Sequence, residues 1–217
     1  MRQRIEWREI ARTNSGCVKR RTTPIKIAGS FGWAGQQQAD EERFRKMVEN
    51  EQATAAPVQE HQRLSALVGK WDMEIKLFPG PGAAPIVLKG ACENTMILGG
   101  RFLKSEASGT GTTPVQSLQV LGFDRRYGKY TFVGYDNGGT YYVTADGVFD
   151  KGKNALKLEG QEQDPSKGVQ KYDIVLHFVS PVRYVSEVIF KRETGGEQRD
   201  FKVAEITFTR SGSNGDK

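Results

Sequence analysis

Cysteine and histidine are nearly absent from this 217-residue chain, at two residues each. Cys17 and Cys92 lie 75 positions apart and cannot build a disulfide framework or a cysteine-rich zinc site. His61 and His177 leave little for a histidine-based metal centre. Long apolar runs are missing too. No stretch approaches the roughly 18 apolar residues that a membrane span needs, and the mean hydropathy is −0.57. There is no H-E-x-x-H, no G-x-S-x-G, no Walker loop and no G-x-G-x-x-G between strand and helix. Gly109-Thr110-Gly111 has no helix behind it and reads as a loop.

Excess charge of one sign is missing from most of the chain. The net charge of +6 and pI near 9.3 invite a nucleic-acid reading. Yet residues 1–46 hold 11 Lys/Arg against 5 acids, and residues 47–217 hold 21 of each. The remainder thus has no basic bias on which to rest phosphate binding, and no nucleic-acid role is expected of it. Residues 1–46 are punctuated by Gly16, Pro24, Gly29, Gly32 and Gly35, with few and aperiodic apolar residues. They read as a disordered basic arm, or as an extension upstream of a start at Met47. No apolar core follows the basic start, so a secretory signal is not expected; Glu6 and Glu9 count against a transit peptide. A cytoplasmic protein is the resulting expectation.

Glycine, by contrast, is abundant at 25 residues. Residues 47–69 read as a linker and a short helix that starts at Pro57 and stops before Gly69. Asp40 to Val48 suits another short helix. From Gly69 onward the period switches to two, as in Trp71-Asp72-Met73-Glu74-Ile75-Lys76-Leu77. Nine turn signals, among them Gly99-Gly100, Asn137-Gly138-Gly139 and Thr194-Gly195-Gly196, separate ten runs of strand-like residues. The runs cover about 71–78, 85–98, 101–108, 115–124, 129–136, 140–150, 155–162, 169–179, 182–192 and 198–209. No helical period interrupts them, so an up-and-down antiparallel β-barrel over residues 70–210 is expected, with the helix across one mouth. Closure removes the exposed edges. A two-sheet sandwich is the alternative. Residues 211–217 read as a disordered tail.

Alternation points Trp71, Met73, Ile75 and Leu77 inward, and likewise Ala204, Ile206 and Phe208. Continuing that parity, Arg210 reaches the barrel end, where it could cover the Trp71 indole. A ten-stranded barrel is wide enough to hold a ligand, because filling by side chains becomes just possible at about eight strands. Met73, Glu106, Tyr135, Tyr142 and Glu187 are the candidate ligand-binding residues. Tyr135 and Tyr142 could equally be rim aromatics, and Glu187 could turn outward toward lysines. Asp173 and His177, four apart on one strand, stand about 13 Å apart and cannot form a dyad. Cys92 reads as a small buried hydrophobe.

Gly69-Lys70-Trp71 after a short helix resembles the G-x-W opening of lipocalins and fatty-acid-binding proteins, whose closing basic residue Arg210 could match. The chain resembles the DUF1579 family more closely. The matching pieces are His61 to Trp71, Leu98 to Leu103, Leu121-Gly122-Phe123-Asp124 and Ile206 to Arg210, spanning about 60–210. That resemblance implies a lipocalin-like barrel, with Gly69, Trp71 and Arg210 as structural signature, and it carries no activity or agreed site. Nitrobindin-like relatives of calycins bind haem through one histidine. His177, in Ile174-Val175-Leu176-His177-Phe178-Val179, is the residue that could do so here.

The function expected is therefore non-enzymatic binding of a small hydrophobic or amphipathic molecule inside the barrel, with no catalytic residue and no cofactor. The alternatives are a filled barrel acting as a structural or protein-interaction module, and a haem barrel using His177. A filled barrel would bring Phe102, Phe132, Phe190 and Phe208 together at its centre.

Overall fold

The computed structural model describes residues 31–110, 114–194, 197–198 and 200–212. The chain divides into two units, Met1–Asn50 and Glu51–Lys217. Helix α1 (Phe31–Thr54) begins in the first and ends in the second. It runs through residue 46, where the charge distribution suggested that the arm ends. The reason is local: Gln36 to Met47 contains no proline, glycine or β-branched residue, and most of its residues are good helix formers. Lys46 also reaches Glu42 at 2.9 Å, one turn back. The rest of the expected arm, residues 1–30, lies outside the described residues, as does nearly all of the expected tail.

Helix α2 (Gln59–Ser65) precedes the strands β1 (Gly69–Leu77), β2 (Ile86–Ile97), β3 (Phe102–Thr110), β4 (Gln116–Asp124), β5 (Lys129–Asp136) and β6 (Tyr142–Asp150). Strands β7 (Ala155–Asp164), β8 (Gly168–Ser180) and β9 (Arg183–Lys191) follow. A two-stranded hairpin comes next, β10 (Glu193–Thr194) with β11 (Glu197–Gln198), and then β12 (Phe201–Arg210). Ten of them close an antiparallel barrel in the order β1-β12-β9-β8-β7-β6-β5-β4-β3-β2, as the turn spacing predicts. Every neighbour is a sequence neighbour except where β9 and β12 flank the small hairpin and where β1 meets β12 to close the ring.

The turns owe their brevity to aspartate. Asp124, Asp136, Asp150 and Asp164 each end a strand, and each carboxylate accepts a backbone N–H two residues on, from Arg126, Gly138, Gly152 and Ser166. Such a side chain replaces the missing ladder partner and starts the reversal.

Pairing transmits one face around the ring. Trp71 lies opposite Arg210 and Cys92, and Cys92 lies opposite Ala107. Onward, Ala107 faces Ser117, Leu121 faces Phe132, Phe132 faces Ala145, and so on to Tyr184 opposite Phe208. That face points inward and holds Trp71, Leu103, Leu121, Tyr130, Leu156, Leu158, Tyr172, Tyr184 and Phe208. At Gly147 on this face an added Cβ would meet the Lys157 carbonyl oxygen at 1.9 Å, so β6 and β7 approach more closely than any other residue permits.

Helix α2 lies across one end. Leu64 and Leu67 enter the barrel core, Arg63 Nη1 donates to the Tyr130 hydroxyl at 2.6 Å, and the Arg63 guanidinium covers Phe149 at 3.9 Å. Around the rim, the Trp71 indole N–H donates to the Leu67 carbonyl at 2.8 Å. Arg210 Nη1 donates to Val68 at 2.9 Å, and its guanidinium sits 4.4 Å from the Trp71 ring centroid. Gly69 adopts φ +130, and the Arg210 guanidinium occupies the space its side chain would fill. The three residues of the structural signature thus form one contact.

Candidate functional site: a cavity beneath the helical cap

Aromatic side chains fill most of the interior. Tyr184 stacks on Phe208 at 4.2 Å and meets Trp71 edge-on at 4.8 Å, while Phe149 meets Phe178 at 5.7 Å. What remains is a cavity of about 100 Å³ under the Leu67 turn. Ligand pockets for drug-sized molecules run to roughly 300–1,000 Å³, so this cavity suits only a small molecule. Its walls are leucine, isoleucine, valine, phenylalanine and Tyr184, with four further uncharged polar side chains: Asn94, Ser105, Gln119 and Ser186.

These four divide into two kinds. Asn94 is buried and spent: its amide donates to the Leu67 carbonyl at 3.0 Å and the Tyr184 hydroxyl at 3.2 Å, and it accepts from the Cys92 thiol at 3.1 Å. Ser105 lies 3.1 Å from the same sulfur. Burial pushes the Cys92 thiol up from its ordinary pKa, so it stays protonated and acts as a packing residue. Gln119 and Ser186, by contrast, have no side-chain hydrogen-bond partner among the described residues, although both line the cavity. Gln119 sits on β4 and Ser186 on β9, five strands apart in a ring of ten, so they face each other from opposite walls.

The residues expected to touch a ligand lie elsewhere. Met73 does face inward and is 7% exposed, but it packs in the core outside the cavity walls. Glu106, Tyr135, Tyr142 and Glu187 occupy the opposite parity and point out of the barrel. Glu106 pairs with Lys104 at 2.7 Å, and it shares a shallow outer groove with Tyr135. Tyr135 and Tyr142 lie side by side on the outside, 48% and 62% exposed. The inward parity of these strands belongs to Ser105, Phe132, Gly134 and Val143 instead.

Glu187 does turn outward toward lysine. Its carboxylate accepts from Lys202 at 2.8 Å and lies 3.1 Å from His177 Nε2. Burial pushes this carboxyl up, but the hydrogen bonds from Lys202 and His177 outweigh that and hold it below the usual range. His177 is therefore committed on the outer face, and the haem alternative does not fit: its imidazole cannot reach an iron inside the barrel. Asp173 is outward too, bridged by Lys191 at 2.8 Å and Lys157 at 3.3 Å. Of the aromatics proposed to fill the centre, Phe132, Phe190 and Phe208 point inward. Phe102 lies outside over Gly122.

Sequence reasoning missed Gln119 and Ser186 because both parities of their strands carry apolar residues. Leu118 and Val120 flank Gln119, and Val185 flanks Ser186. A usable signal existed in the register: carrying the Trp71 face through each short hairpin leads to Asn94, Ser105 and Gln119 in turn.

The fold and cavity define a closed ten-stranded up-and-down barrel of lipocalin-like form, with one end covered by a short helix. The sequence matches the profile described as "Protein of unknown function (DUF1579)" over residues 56–210, and the chain belongs to that family. No curated protein matches it in sequence. Among solved structures it is similar to Rv2717c from M. tuberculosis, at 15% identity, TM-score 0.50, covering 71% of this chain and 99% of that one. That likeness is one of fold alone. A second similar structure is the S-type phycobiliprotein lyase CPES from Guillardia theta, at 10% identity, TM-score 0.49, covering 76% and 97%. Among the described residues no helix is long and apolar enough to cross a membrane.

Proposed function

We propose that the barrel binds a small uncharged molecule that is partly apolar and both donates and accepts hydrogen bonds, in the cavity beneath α2. The carrying observation is the pair Gln119 and Ser186, two polar side chains without protein partners facing each other across an apolar space. Both side chains are half-buried with polar atoms that no group among the described residues engages, so a ligand or water in the cavity is what would complete their hydrogen bonds. A long acyl chain or a haem exceeds about 100 Å³. The ligand is therefore closer in size to a small phenol or amide, given that a cavity of about 150 Å³ accepts benzene.

The reading is non-catalytic. The cavity walls carry no carboxylate, histidine, lysine or cysteine, and the Tyr184 hydroxyl is pushed far up by burial. Among the described residues that line it, none offers a general acid or base near neutral pH. The filled-barrel alternative draws support from the same small volume and from the inward Phe132, Phe190 and Phe208.

Native mass spectrometry of the purified chain, with thermal unfolding against phenol, acetamide and palmitate, separates the two. The expected result is a co-purifying small mass, or stabilisation of about 2.7 kcal/mol by phenol or acetamide at a hundredfold excess over Kd. Gln119→Leu should abolish it while the fold persists. A bare chain stabilised by neither small probe leaves the filled-barrel reading standing, and stabilisation by palmitate alone overturns the size argument.

A further inference from the structure

A second concavity lies outside the barrel, at the corner where α2 meets the β2–β3 and β4–β5 turns. It measures about 760 Å³ and is lined by His61, Arg101, Phe102, Phe123 and Arg125, among others. None of these was singled out as a binding residue by the sequence. All but Arg125 come from three of the separate segments by which the chain resembles its family.

His61 is its most informative member. The ring is 4% exposed, and its Nδ1 accepts the Val58 backbone N–H at 3.0 Å, which caps the start of α2. An accepting Nδ1 places the proton of the neutral ring on Nε2. Burial lowers the pKa of His61 and outweighs Glu60; Arg125 and Arg101 add to the lowering, so the ring is neutral at pH 7. Nε2 has no hydrogen-bond partner among the described residues, yet no fully buried side-chain nitrogen or oxygen there lacks one. Nε2 therefore opens on the groove that His61 lines.

The surroundings favour an anion. Arg101 spends one of its five N–H donors, on Nη1, on the Leu98 carbonyl at 3.2 Å, which holds the guanidinium against its own turn. Arg125 reaches the Ala56 carbonyl at 3.2 Å. Two acids also line it, Glu51 and Asp124, whose carboxylate is engaged by Arg126 at 2.7 Å, and Glu60 acts on His61 from α2 itself. Phe102 and Phe123 supply an apolar flank, Phe123 meeting the imidazole edge-on at 5.9 Å.

We propose that this groove binds an oxyanion, the carboxylate or phosphate group of a small molecule, with His61 Nε2–H and the Arg101 guanidinium as its donors. A neutral N–H beside a guanidinium fork matches two oxygens of one such group. The site is separate from the interior cavity, and neither reading depends on the other.

The test is NMR of the full chain with labelled histidine, titrated with inorganic phosphate and with benzoate while sodium chloride holds ionic strength constant. The expected result is a saturable shift of the His61 Nε2 resonance by at least one probe. Arg101→Gln should weaken it about tenfold or more, the worth of a charge-assisted hydrogen bond. Lys171→Gln, an equal change of charge on exposed β8 surface, should leave it unchanged. A response to phosphate alone assigns a phosphoryl group, and one to benzoate alone assigns a carboxylate. No saturable shift with either probe overturns the proposal, and so does equal affinity in Arg101→Gln. If that variant fails to fold, Arg101→Lys keeps the charge but loses the fork. It should still bind severalfold more weakly, and undiminished binding overturns the proposal.

Discussion

The two ends of the barrel are built on different principles. At the α2 end polar side chains tie the helix and the turn after it to the strands. Trp71 bonds to Leu67, Asn94 to Leu67 and Tyr184, Arg63 to Tyr130, and Arg210 to Val68 and to Ala66. Trp71, Leu64, Leu156 and Leu158 are at most 1% exposed there. Apolar side chains stand out into solvent at both ends, Ile86, Val87, Tyr142 and Val169 at the other one and Leu98, Tyr127 and Val179 in or beside the turns of this one, so the difference lies in the helix and its contacts. Ten strands suffice to close the ring, but among the described residues one mouth alone receives a helix whose apolar side plugs it. Stability therefore concentrates where the helix enters, and both candidate sites lie at or beside that end, positioned by its rigid contacts.

Four substitutions probe that asymmetry. The largest effect belongs to Trp71→Ala, which empties the centre of the capped end and removes one of the two donors to the Leu67 carbonyl. A loss of about 3–5 kcal/mol is expected in denaturant unfolding. A loss under 1 kcal/mol would mean that the cap is not where stability resides. Gly69→Ala comes next. It forces a Cβ onto φ +130 and into the guanidinium of Arg210, and should cost about 1–3 kcal/mol. In Arg210→Ala the steric part of that cost should vanish, leaving the backbone part, as a double-mutant cycle would reveal. The smallest effect is Tyr142→Ala at the uncapped end, within about 0.5 kcal/mol, because the ring is 62% exposed. A cost comparable to Trp71→Ala would erase the distinction between the ends.

Strand boundaries were legible because glycine and aspartate punctuate them. The ten expected runs and the ten barrel strands agree to within two or three residues at most ends, and the Thr194-Gly195-Gly196 signal falls in the β10–β11 hairpin. Faces were legible only where one parity is charged. In β1 the lysines and acids leave Trp71, Met73 and Ile75 no choice but inward, and in β12 Glu205 and Thr207 do the same for Ile206 and Phe208. In β5 and β9 both parities are apolar enough to satisfy either arrangement, so Tyr135 and Glu187 could not be placed from their own neighbours. The groove was illegible for a different reason. His61, Arg101 and Arg125 are far apart in sequence and ordinary in their local context, and only the meeting of α2 with two turns makes them neighbours.

Local sequence by itself determined the periodicity, the turns and the inward faces of β1 and β12. Those features depend on residues adjacent in the chain or on a charge pattern that admits one parity. Tertiary structure alone decided how full the barrel is, which polar groups remain unpaired inside it, and which outer side chains are committed to one another. Such outcomes depend on volume and partnership across strands, and a strand with two acceptable faces carries no information about either until its neighbours fix the register.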